Sequence, residues 1–315
     1  RRKLFFLYGG QRQLLNQPLE GTGKAKITSV ICFHLFSLFS LFRQLNNLQK
    51  FDYIVDLHQV LRTYVLNFFF RISGKKVLKF DKRRNDKKVI IETKTGKVSH
   101  TVQRYIEAFA KTGLKVGDLY YPSLIPSKEA EEHISDFFAM IFTKGEKFIG
   151  LAPFAKHDTK IWGFEKTMEL IQLINNRHKV RFFVFGGGET EIAQIEEMKK
   201  VLPNIICVAG IFPFKNEIAL LRRLDFLITM DSANMHIGCL SGTKVVSVWG
   251  ATHPDLGFAP LGGNDKFIIQ LSKEDVPCRP CSVFGDRPCT QASKICMEKI
   301  SAKKVFDSLS DFGLI

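Results

Sequence analysis

Short apolar runs alternate with amphipathic stretches along nearly the whole chain. Apolar runs bounded by turn residues are typical of buried strands, and apolar residues at steps of three and four are typical of helices that cover a sheet. The pattern predicts strands at Leu4–Tyr8, Tyr53–Leu57, Val77–Phe80, Phe148–Ala152, Val180–Phe185, Ile205–Val208, Phe226–Met230, Val245–Val248 and Phe267–Ile269. It predicts helices at about 30–48, 59–72, 99–113, 128–142, 164–177, 189–201, 215–224 and 233–241. The sequence therefore predicts an α/β protein with parallel sheets.

Two domains follow from the length and from a break in this pattern. The chain has 315 residues, which exceeds the usual size of one domain. A polar loop with Pro122 and Pro126 interrupts the alternation, and a fresh series of strands and helices begins at Lys147. We predict one domain over residues 1–145 and a second, doubly wound domain over residues 146–315.

Charge is distributed unevenly between these two parts. The formal net charge is +15, with 25 Lys and Arg against 12 Asp and Glu in residues 1–145 and 21 against 19 in the remainder. A basic first domain indicates an anionic partner, and nucleic acid, anionic lipid and a phosphorylated sugar are all open at this point, beside a basic surface that serves only solubility. The stretch Arg71–Lys97 holds eleven basic and three acidic residues, and we interpret it as an exposed, loop-rich segment around one strand. Its one aromatic residue, Phe80, argues against binding of single-stranded nucleic acid.

Two further features bear on the compartment. The apolar segment Val30–Phe42 contains His34 and is too short to span a bilayer, so we interpret it as a buried or interfacial helix. Seven Cys is an odd number, and Cys32, Cys207 and Cys239 lie in apolar sequence, which favours a reduced, cytoplasmic protein over an exported disulfide scaffold. The chain begins without a Met, and a signal peptide is neither visible nor excluded.

The residues after the predicted strand Phe226–Met230 carry the sharpest chemical signal. Ligands of open parallel sheets bind beyond the carboxyl ends of the strands. Asp231 and Ser232 stand there at a helix start, where free backbone amides and the positive end of the helix dipole can bind a diphosphate without a metal. His236 lies about one turn further, and we expect it on the same side. A simple helix cap with a core histidine is the competing interpretation.

Other strand ends add weaker candidates. The loop after Phe148–Ala152 contains Thr159 and Lys160, a hydroxyl and an ammonium group that can hold phosphate, although an ordinary solvated loop explains them equally well. Three glycines, including Gly187, follow the next strand and allow either a tight turn or close approach of a ligand. Glu217 carries a carboxylate that can accept hydrogen bonds from two sugar hydroxyls, or it is a solvated helix residue.

Four cysteines cluster near the C-terminus, at Cys278, Cys281, Cys289 and Cys296. Their spacing suits either a zinc knuckle or two disulfides. We place this cluster away from the strand-end crevice and expect a structural role for it.

Eight short motifs follow one another along residues 1 to 300. They are Phe51-Asp52-Tyr53-Ile54-Val55-Asp56-Leu57-His58, Lys160-x-Trp162, Phe185-Gly186-Gly187-x-Glu189, Ala209-Gly210, Glu217 with Leu220-Leu221, Asp231-Ser232-x-x-x-His236, Trp249-Gly250-x-Thr252-x-Pro254 and Pro277-Cys278-x-Pro280-Cys281…Cys296-Met297. In this order and spacing the chain resembles glycosyltransferase family 9, the ADP-heptose:lipopolysaccharide heptosyltransferases.

The resemblance implies a GT-B fold, in which two Rossmann-like domains face each other across a cleft and the second binds a nucleotide sugar. It implies an inverting reaction without metal or other cofactor, in which heptose moves from an ADP-sugar to a hydroxyl of the lipid A–Kdo inner core of lipopolysaccharide. The implied partners are the nucleotide sugar and an anionic glycolipid, not nucleic acid. We expect a monomer at the cytoplasmic face of the inner membrane.

The resemblance also assigns roles by position. Thr159 and Lys160 look like diphosphate contacts, Glu217 like a ribose contact, and Gly187, Asp231, Ser232, Ala233 and His236 like the rest of the donor site. The acceptor-side candidates are Asp56, His58 and Arg62.

The family's general base is the exception in this assignment. Family members open with a strand and a Gly-Asp loop whose Asp is the base, and this sequence begins after that point, at Arg1. The resemblance therefore places the base upstream of Arg1 and leaves the catalytic residue of this chain unknown. We expect an N-terminally truncated chain that binds nucleotide without turnover.

Two other classes of function remain open from the sequence. A different GT-B enzyme, such as a nucleotide-sugar epimerase, would share the fold but should carry acid–base carboxylates and histidines in both halves. A non-catalytic, basic anion-binding protein would have no nucleotide site and would lose its ligand steeply as salt rises.

Overall fold

In the computed structural model of this chain, residues 4–7, 35–48, 51–113 and 121–315 are described, without the side chains of residues 4–7, 35–37 and 48. Four sequence predictions therefore lie outside the described residues. These are Tyr8 at the end of the first strand, residues 30–34 of the first helix, the apolar surroundings of Cys32, and the position of the general base upstream of Arg1. Arg1 is not among the described residues, so the position of the base stays a prediction.

Strands and helices alternate along most of the described chain, with α3, α4 and α5 in succession between β3 and β4. The strands are β1 (Leu4–Leu7), β2 (Tyr53–Asp56), β3 (Lys76–Lys79), β4 (Lys147–Ala152), β5 (Val180–Val184), β6 (Ile205–Cys207), β7 (Phe226–Met230), β8 (Val245–Trp249) and β9 (Ile268–Gln270). The helices are α1 (Leu35–Leu48), α2 (Leu61–Ile72), α3 (Arg84–Thr93), α4 (Thr101–Ala110), α5 (Lys128–Ile141), α6 (Phe164–Asn175), α7 (Gly188–Val201), α8 (Phe214–Leu221), α9 (Ala233–Ser241), α10 (Ile295–Glu298) and α11 (Ala302–Asp311). Each strand lies within one residue of its predicted bounds.

The first of two compact units contains the described residues up to Arg84 and those from Ser99 to 113. Its sheet has the order β1-β2-β3, and both strand pairs are parallel. Because successive residues of a strand point to opposite faces, Ile54 and Val55 of β2 serve two different cores. Ile54 packs with side chains of α1 and α2, whereas Val55 packs with Phe80 and with Ala108 of α4. Helices therefore cover both faces of this sheet.

The second unit contains Asn85–Val98 and the described residues from 121 to Ile315. Its sheet is parallel throughout and has the order β6-β5-β4-β7-β8-β9. The chain starts in the middle at β4, proceeds outward to β6, and then returns to β7 on the other side of β4. The order thus reverses between β4 and β7, and this switch point is where doubly wound sheets bind their ligands.

Two apolar cores lie on the two faces of this sheet. One core packs α6, α7 and α11 against the strands, and the other packs α5, α8 and α9. In α9, Gly238 allows close approach to the sheet, because an added Cβ would lie 2.8 Å from Leu227 Cδ2 and 3.0 Å from Val245 Cγ2. The sheet therefore fixes α9, whose first residues follow β7.

The compact units divide the chain at other positions than the predicted boundary at residue 145. Helix α5 belongs to the second unit, because Ile134 and Phe138 pack in the same core as Phe183 of β5. The segment Asn85–Val98 also belongs there, since Ile90 and Val98 pack against Leu256. Packing against residues distant in sequence assigns α5 and Asn85–Val98 to the second unit. Periodicity along the chain does not reveal this assignment.

The interpretation of Arg71–Lys97 as loop-rich is wrong for its central part. Residues Arg84–Thr93 form α3, which buries Ile90 and the stem of Lys87. The Lys87 ammonium lies 4.1 Å from the centroid of the Phe258 ring, so a basic side chain occupies a packing position. The terminal helix α11, which packs on α6, was not predicted either. No helix among the described residues has the length and apolar character needed to cross a bilayer.

Candidate functional site

A cavity of about 510 Å³ lies in the second unit at the switch point of the sheet. The loops after β4, β5 and β7 contribute to its wall. The predicted donor-site residues among its lining are Lys160, Gly187, Asp231, Ser232, Ala233 and His236. These residues come from three separate stretches of sequence, and the parallel sheet brings them together because its strands end at one edge.

Lys160 is held in place over this cavity by contacts along its whole length. It ends a short 3-10 turn, Asp158–Lys160, and an added Cβ on Gly285 would lie 2.7 Å from the Lys160 Cγ. Gly285 has φ +77°, a conformation that favours glycine. Position 285 therefore requires glycine both for its backbone conformation and for the close approach of Lys160. The ammonium Nζ lies 3.4 Å from Asp231 Oδ2, and both side chains are only 12% exposed. The ammonium is thus aimed at the cavity rather than at bulk water.

Asp231 receives a second donor from the loop after β8. The Thr252 hydroxyl donates to Asp231 Oδ2 over 2.7 Å. The Thr252 backbone is in turn fixed by Arg279, whose fully buried guanidinium donates to the carbonyl oxygens of Thr252, Gly250 and Leu271 at 2.9, 2.8 and 2.6 Å. Burial lowers the pKa of Arg279. The Asp231 carboxylate is therefore engaged by side chains of neighbouring loops.

The start of α9 carries no side-chain cap. Ser232 is the N-cap residue with extended backbone, and its side chain accepts no hydrogen bond from the first turn. Its hydroxyl instead lies 3.3 Å from Thr229 Oγ1. The first backbone amides of a helix have no partner within the helix, and α9 directs this end into the cavity through Ser232, Ala233 and Asn234. An anion is the ligand such a helix end binds.

The glycine loop after β5 forms the opposite side of the cavity. The backbone amide of Gly187 donates to Glu191 Oε2 over 2.7 Å, and both residues line the cavity. The Glu191 carboxylate therefore accepts the hydrogen bond that the Gly187 amide could otherwise donate to a ligand. The carboxylates of Glu191 and Asp231 offset the charges of Lys156 and Lys160, so neutral hydroxyl-rich groups and anions both find partners here.

Two predicted donor residues do not line this cavity. The Thr159 hydroxyl is buried and donates to the carbonyl oxygen of Gly285 over 2.6 Å, so it holds the loop that carries Lys160. Glu217 is half-buried near the start of α8, outside the cavity lining, and burial raises the pKa of its carboxyl group. Thr159 thus has a supporting position in this structure, and Glu217 lies on a separate surface.

The acceptor-side candidates lie in the first unit, where Asp56 ends β2, His58 follows in the next loop and Arg62 is in the first turn of α2. Asp56 is fully buried, and its carboxylate is engaged within the first unit: Oδ1 accepts from the amides of His58 and Gln59 at 2.9 and 2.8 Å, and Oδ2 accepts from Asn67 Nδ2 at 2.7 Å. Asp56 is therefore a structural residue here and not a group that can touch an acceptor. His58 is half-buried and Arg62 is exposed. Burial, and next the charge of Lys82, lower the pKa of His58.

Comparison with known proteins identifies the family. The model of glycosyltransferase family 9 (heptosyltransferase) matches residues 38–284, which is well over half of the chain. The chain belongs to glycosyltransferase family 9. This confirms the family predicted from the motif order, and it makes the protein a glycosyltransferase rather than a non-catalytic anion-binding protein.

Relatives of this glycosyltransferase are remote in sequence but similar over most of their length. It is 23% identical over 270 residues to lipooligosaccharide heptosyltransferase 2 of Campylobacter jejuni, covering 83% of this chain and 79% of that protein. A solved family 9 glycosyl transferase from Veillonella parvula has a TM-score of 0.69 at 16% identity, covering 99% and 97% of the two chains. The structure of E. coli ADP-heptose lps heptosyltransferase II has a TM-score of 0.62 at 18% identity, covering 90% and 83%. These structures confirm the predicted GT-B class of two Rossmann-like units.

The cysteine cluster of this glycosyltransferase lies closer to the donor loop than predicted. Cys278, Cys281, Cys289 and Cys296 are free thiols around one small cavity that Thr159 also lines. Burial raises the pKa of Cys281 to about 11 and also raises that of Cys296. Within the described ranges, no three His, Cys, Asp or Glu side chains are arranged to hold a metal ion. The segment after β9 contacts the loop after β4, where the Thr159 hydroxyl donates to the Gly285 carbonyl oxygen, so a cluster remote in sequence lies next to Thr159.

Sequence reasoning missed several residues that shape the cavity. Phe154 and Phe284 form an apolar part of its wall. The Phe284 ring lies 5.7 Å from that of Phe258, whose loop after β8 the sequence already indicates as one that could line a pocket. Glu191 stands four residues after the second glycine of its loop, a spacing that would have indicated a bond back to the helix start. Arg279 gave no local signal, because its partners lie 8 to 29 residues away.

Proposed function

We propose that this family 9 glycosyltransferase transfers heptose from ADP-heptose, or a closely related nucleotide sugar, to the lipid A–Kdo inner core of lipopolysaccharide. The observation that carries the proposal is the convergence of Lys160 and the uncapped start of α9 on one cavity at the switch point. The names of two relatives support the donor and acceptor, since one is an ADP-heptose lps heptosyltransferase and the other a lipooligosaccharide heptosyltransferase.

The leaving group sets the chemical requirement of this site. In the proposed step the oxygen of an acceptor hydroxyl attacks the anomeric carbon of heptose from the face opposite the diphosphate. The bond from that carbon to the diphosphate oxygen breaks, ADP leaves with the electron pair, and the hydroxyl proton passes to a general base. Attack from the opposite face inverts the anomeric configuration. Negative charge accumulates on the diphosphate as the bond breaks, so stabilising that charge lowers the barrier.

Backbone amides and one ammonium group supply this stabilisation in the proposal. The amides at the α9 start have no capping side chain as their acceptor, and the helix dipole adds a positive potential there. Lys160 contributes a full positive charge, and its ion pair with Asp231 holds it ready before the ligand arrives. Preorganised donors of this kind need no reorganisation during the reaction. On this basis we propose a metal-independent, cofactor-free transfer.

The remaining parts of the proposal concern the acceptor and the compartment. The excess of basic residues in the first 145 residues matches an acceptor that carries phosphate and carboxylate groups. We propose a cytoplasmic protein, monomeric and peripheral to the inner membrane, where a lipid-linked acceptor would be presented. His58 and Arg62 stay the acceptor-side candidates, and Asp56 supports the loop that carries His58 and leads into α2.

Calorimetric titration tests the donor part of this proposal. We expect ADP to bind with the same affinity in excess chelator and in millimolar Mg²⁺, because the site uses amides and an ammonium group. ADP-heptose should bind more tightly than UDP-glucose, the matched control with another base and sugar. An absolute requirement for Mg²⁺, or equal affinity for the two nucleotide sugars, would contradict the proposal.

A further inference from the structure

Helix α2 of the first unit is apolar on two opposite sides. Its inner side buries Leu66 and Phe70 in the core with α1 and β2. Leu61, Tyr64, Phe68 and Ile72 recur at steps of three and four residues, so they form a single stripe on the other side. These four side chains are 79%, 41%, 59% and 69% exposed. We call them the α2 outer stripe.

An exposed apolar stripe is unusual on the outer face of a surface helix. Such a face is normally polar, because only the inner stripe has a core to pack against. Phe39 of α1 is 48% exposed and lies 5.4 Å from the Phe69 ring of α2, so it extends the apolar surface across the helix pair. A contiguous apolar surface marks an interaction site in a folded protein.

The border of the stripe is basic. Residues 35–48 and 51–80 contain six Lys and Arg against two Asp, and one of these, Asp56, is fully buried. Arg62 and Arg71 are exposed on α2 itself, and Lys76 is exposed at the start of β3. The Lys79 ammonium lies 4.6 Å from the centroid of the Tyr64 ring, next to the stripe. Apolar side chains bordered by cations are the pattern of helices that lie in the headgroup region of an anionic bilayer.

We infer that the α2 outer stripe docks this protein on the surface of an anionic lipid bilayer, with α2 lying in the plane of the membrane. Helix α2 has 12 residues, too few to span a bilayer but enough to place three turns in the interface. A second copy of the chain is a poorer occupant, because a two-fold contact would bring the same basic border against itself. The inference rests on the proposed function, since a lipid-linked acceptor is presented at a membrane surface.

Co-sedimentation with acceptor-free vesicles tests the docking surface. The whole chain is mixed with vesicles rich in phosphatidylglycerol or with vesicles of phosphatidylcholine alone. We expect binding to the anionic vesicles that weakens as salt rises. The variant Leu61→Gln/Phe68→Gln/Ile72→Gln keeps good helix formers at exposed positions and should lower the partition coefficient about tenfold or more.

Two matched variants separate the contributions. The control Met140→Gln/Val201→Gln/Ile211→Gln removes three equally exposed apolar side chains from the second unit and should bind vesicles like the wild type. Arg71→Gln/Lys76→Gln should weaken binding several-fold and flatten its salt dependence. Thermal unfolding of all variants should match the wild type, because every changed side chain is exposed.

Several outcomes would overturn the inference. Equal vesicle binding by the stripe variant and its control would remove the stripe from the membrane contact, and absence of wild-type binding to either vesicle would do the same. Self-association that light scattering detects in the wild type and not in the stripe variant would assign the surface to a second copy. ADP titration of the same wild-type preparation separates the two proposals. If the wild type binds ADP but not vesicles, only the membrane inference is contradicted. If the wild type does not bind ADP, the proposed function is contradicted.

Discussion

Two aspartates at the ends of parallel strands have opposite roles in this molecule. Asp56 ends β2, and its carboxylate accepts hydrogen bonds from the backbone amides of His58 and Gln59 in the next loop and from the side chain of Asn67 in α2. Asp231 follows β7 and accepts from Lys160 and Thr252, which belong to the loops after two other strands. The first carboxylate closes its own loop, and the second leaves the adjacent helix start open.

This difference teaches how a sheet edge becomes a ligand site. A carboxylate that bonds to its own loop amides satisfies the donors that an anion would need. A carboxylate that bonds to side chains of neighbouring loops organises those side chains and leaves the amides available. The second arrangement needs three loops at one point, which the reversal of strand order between β4 and β7 provides.

The largest expected effect is on stability, in the variant Asp56→Ala. Removing the buried carboxylate leaves two amides and one side-chain amide without an acceptor, so the free energy of unfolding should fall by about 3 kcal/mol. Urea unfolding measures this, and ADP affinity should stay unchanged. Asp231→Ala is the matched variant: its loss of stability should be smaller, and ADP binding should weaken because Lys160 and Thr252 lose the carboxylate that positions them. If Asp56→Ala weakened ADP binding while stability held, the contrast between the two aspartates would be lost.

The next effect is on ligand affinity, in the variant Lys160→Ala. Loss of one charge-assisted contact to the diphosphate should weaken ADP binding by about 1.5–3 kcal/mol, the range for hydrogen bonds to charged groups. Calorimetry measures the change, and Lys200→Ala on the exposed side of α7 serves as the control that should bind ADP normally. Unchanged affinity in Lys160→Ala would put the ammonium outside the donor site.

The smallest effect distinguishes an open helix start from a capped one. Ser301 caps α11 by accepting from the Lys304 amide at 3.1 Å, and Ser301→Ala should cost about 1 kcal/mol of stability. Ser232 caps nothing at α9, so Ser232→Ala should change stability by less than about 0.5 kcal/mol. Thermal or urea unfolding compares the two. A loss at Ser232 as large as that at Ser301 would mean that the α9 start is closed by its own side chain.

The candidate site was predictable where its signals are local. Asp231, Ser232, Ala233 and His236 follow a buried strand directly, and the structure brings them to one cavity with Lys160. Thr159 was assigned to the ligand on its residue type and its position next to the Lys160-x-Trp162 motif. Its hydroxyl turns to Gly285, 126 residues away, and no pattern around Thr159 indicates that partner.

The same distinction between local and long-range signals applies to the fold. Apolar runs and helical periodicity depend on neighbours a few residues apart, so the sequence by itself determined the strands, most helices and the α/β class. The unit to which α3 and α5 belong, the bond of Thr159 to Gly285, and the position of the cysteines beside Thr159 were decided only by the tertiary structure. Those features depend on which distant parts of the chain pack together when the protein folds. Burial of apolar area between those parts, rather than local propensity, determines which contacts form.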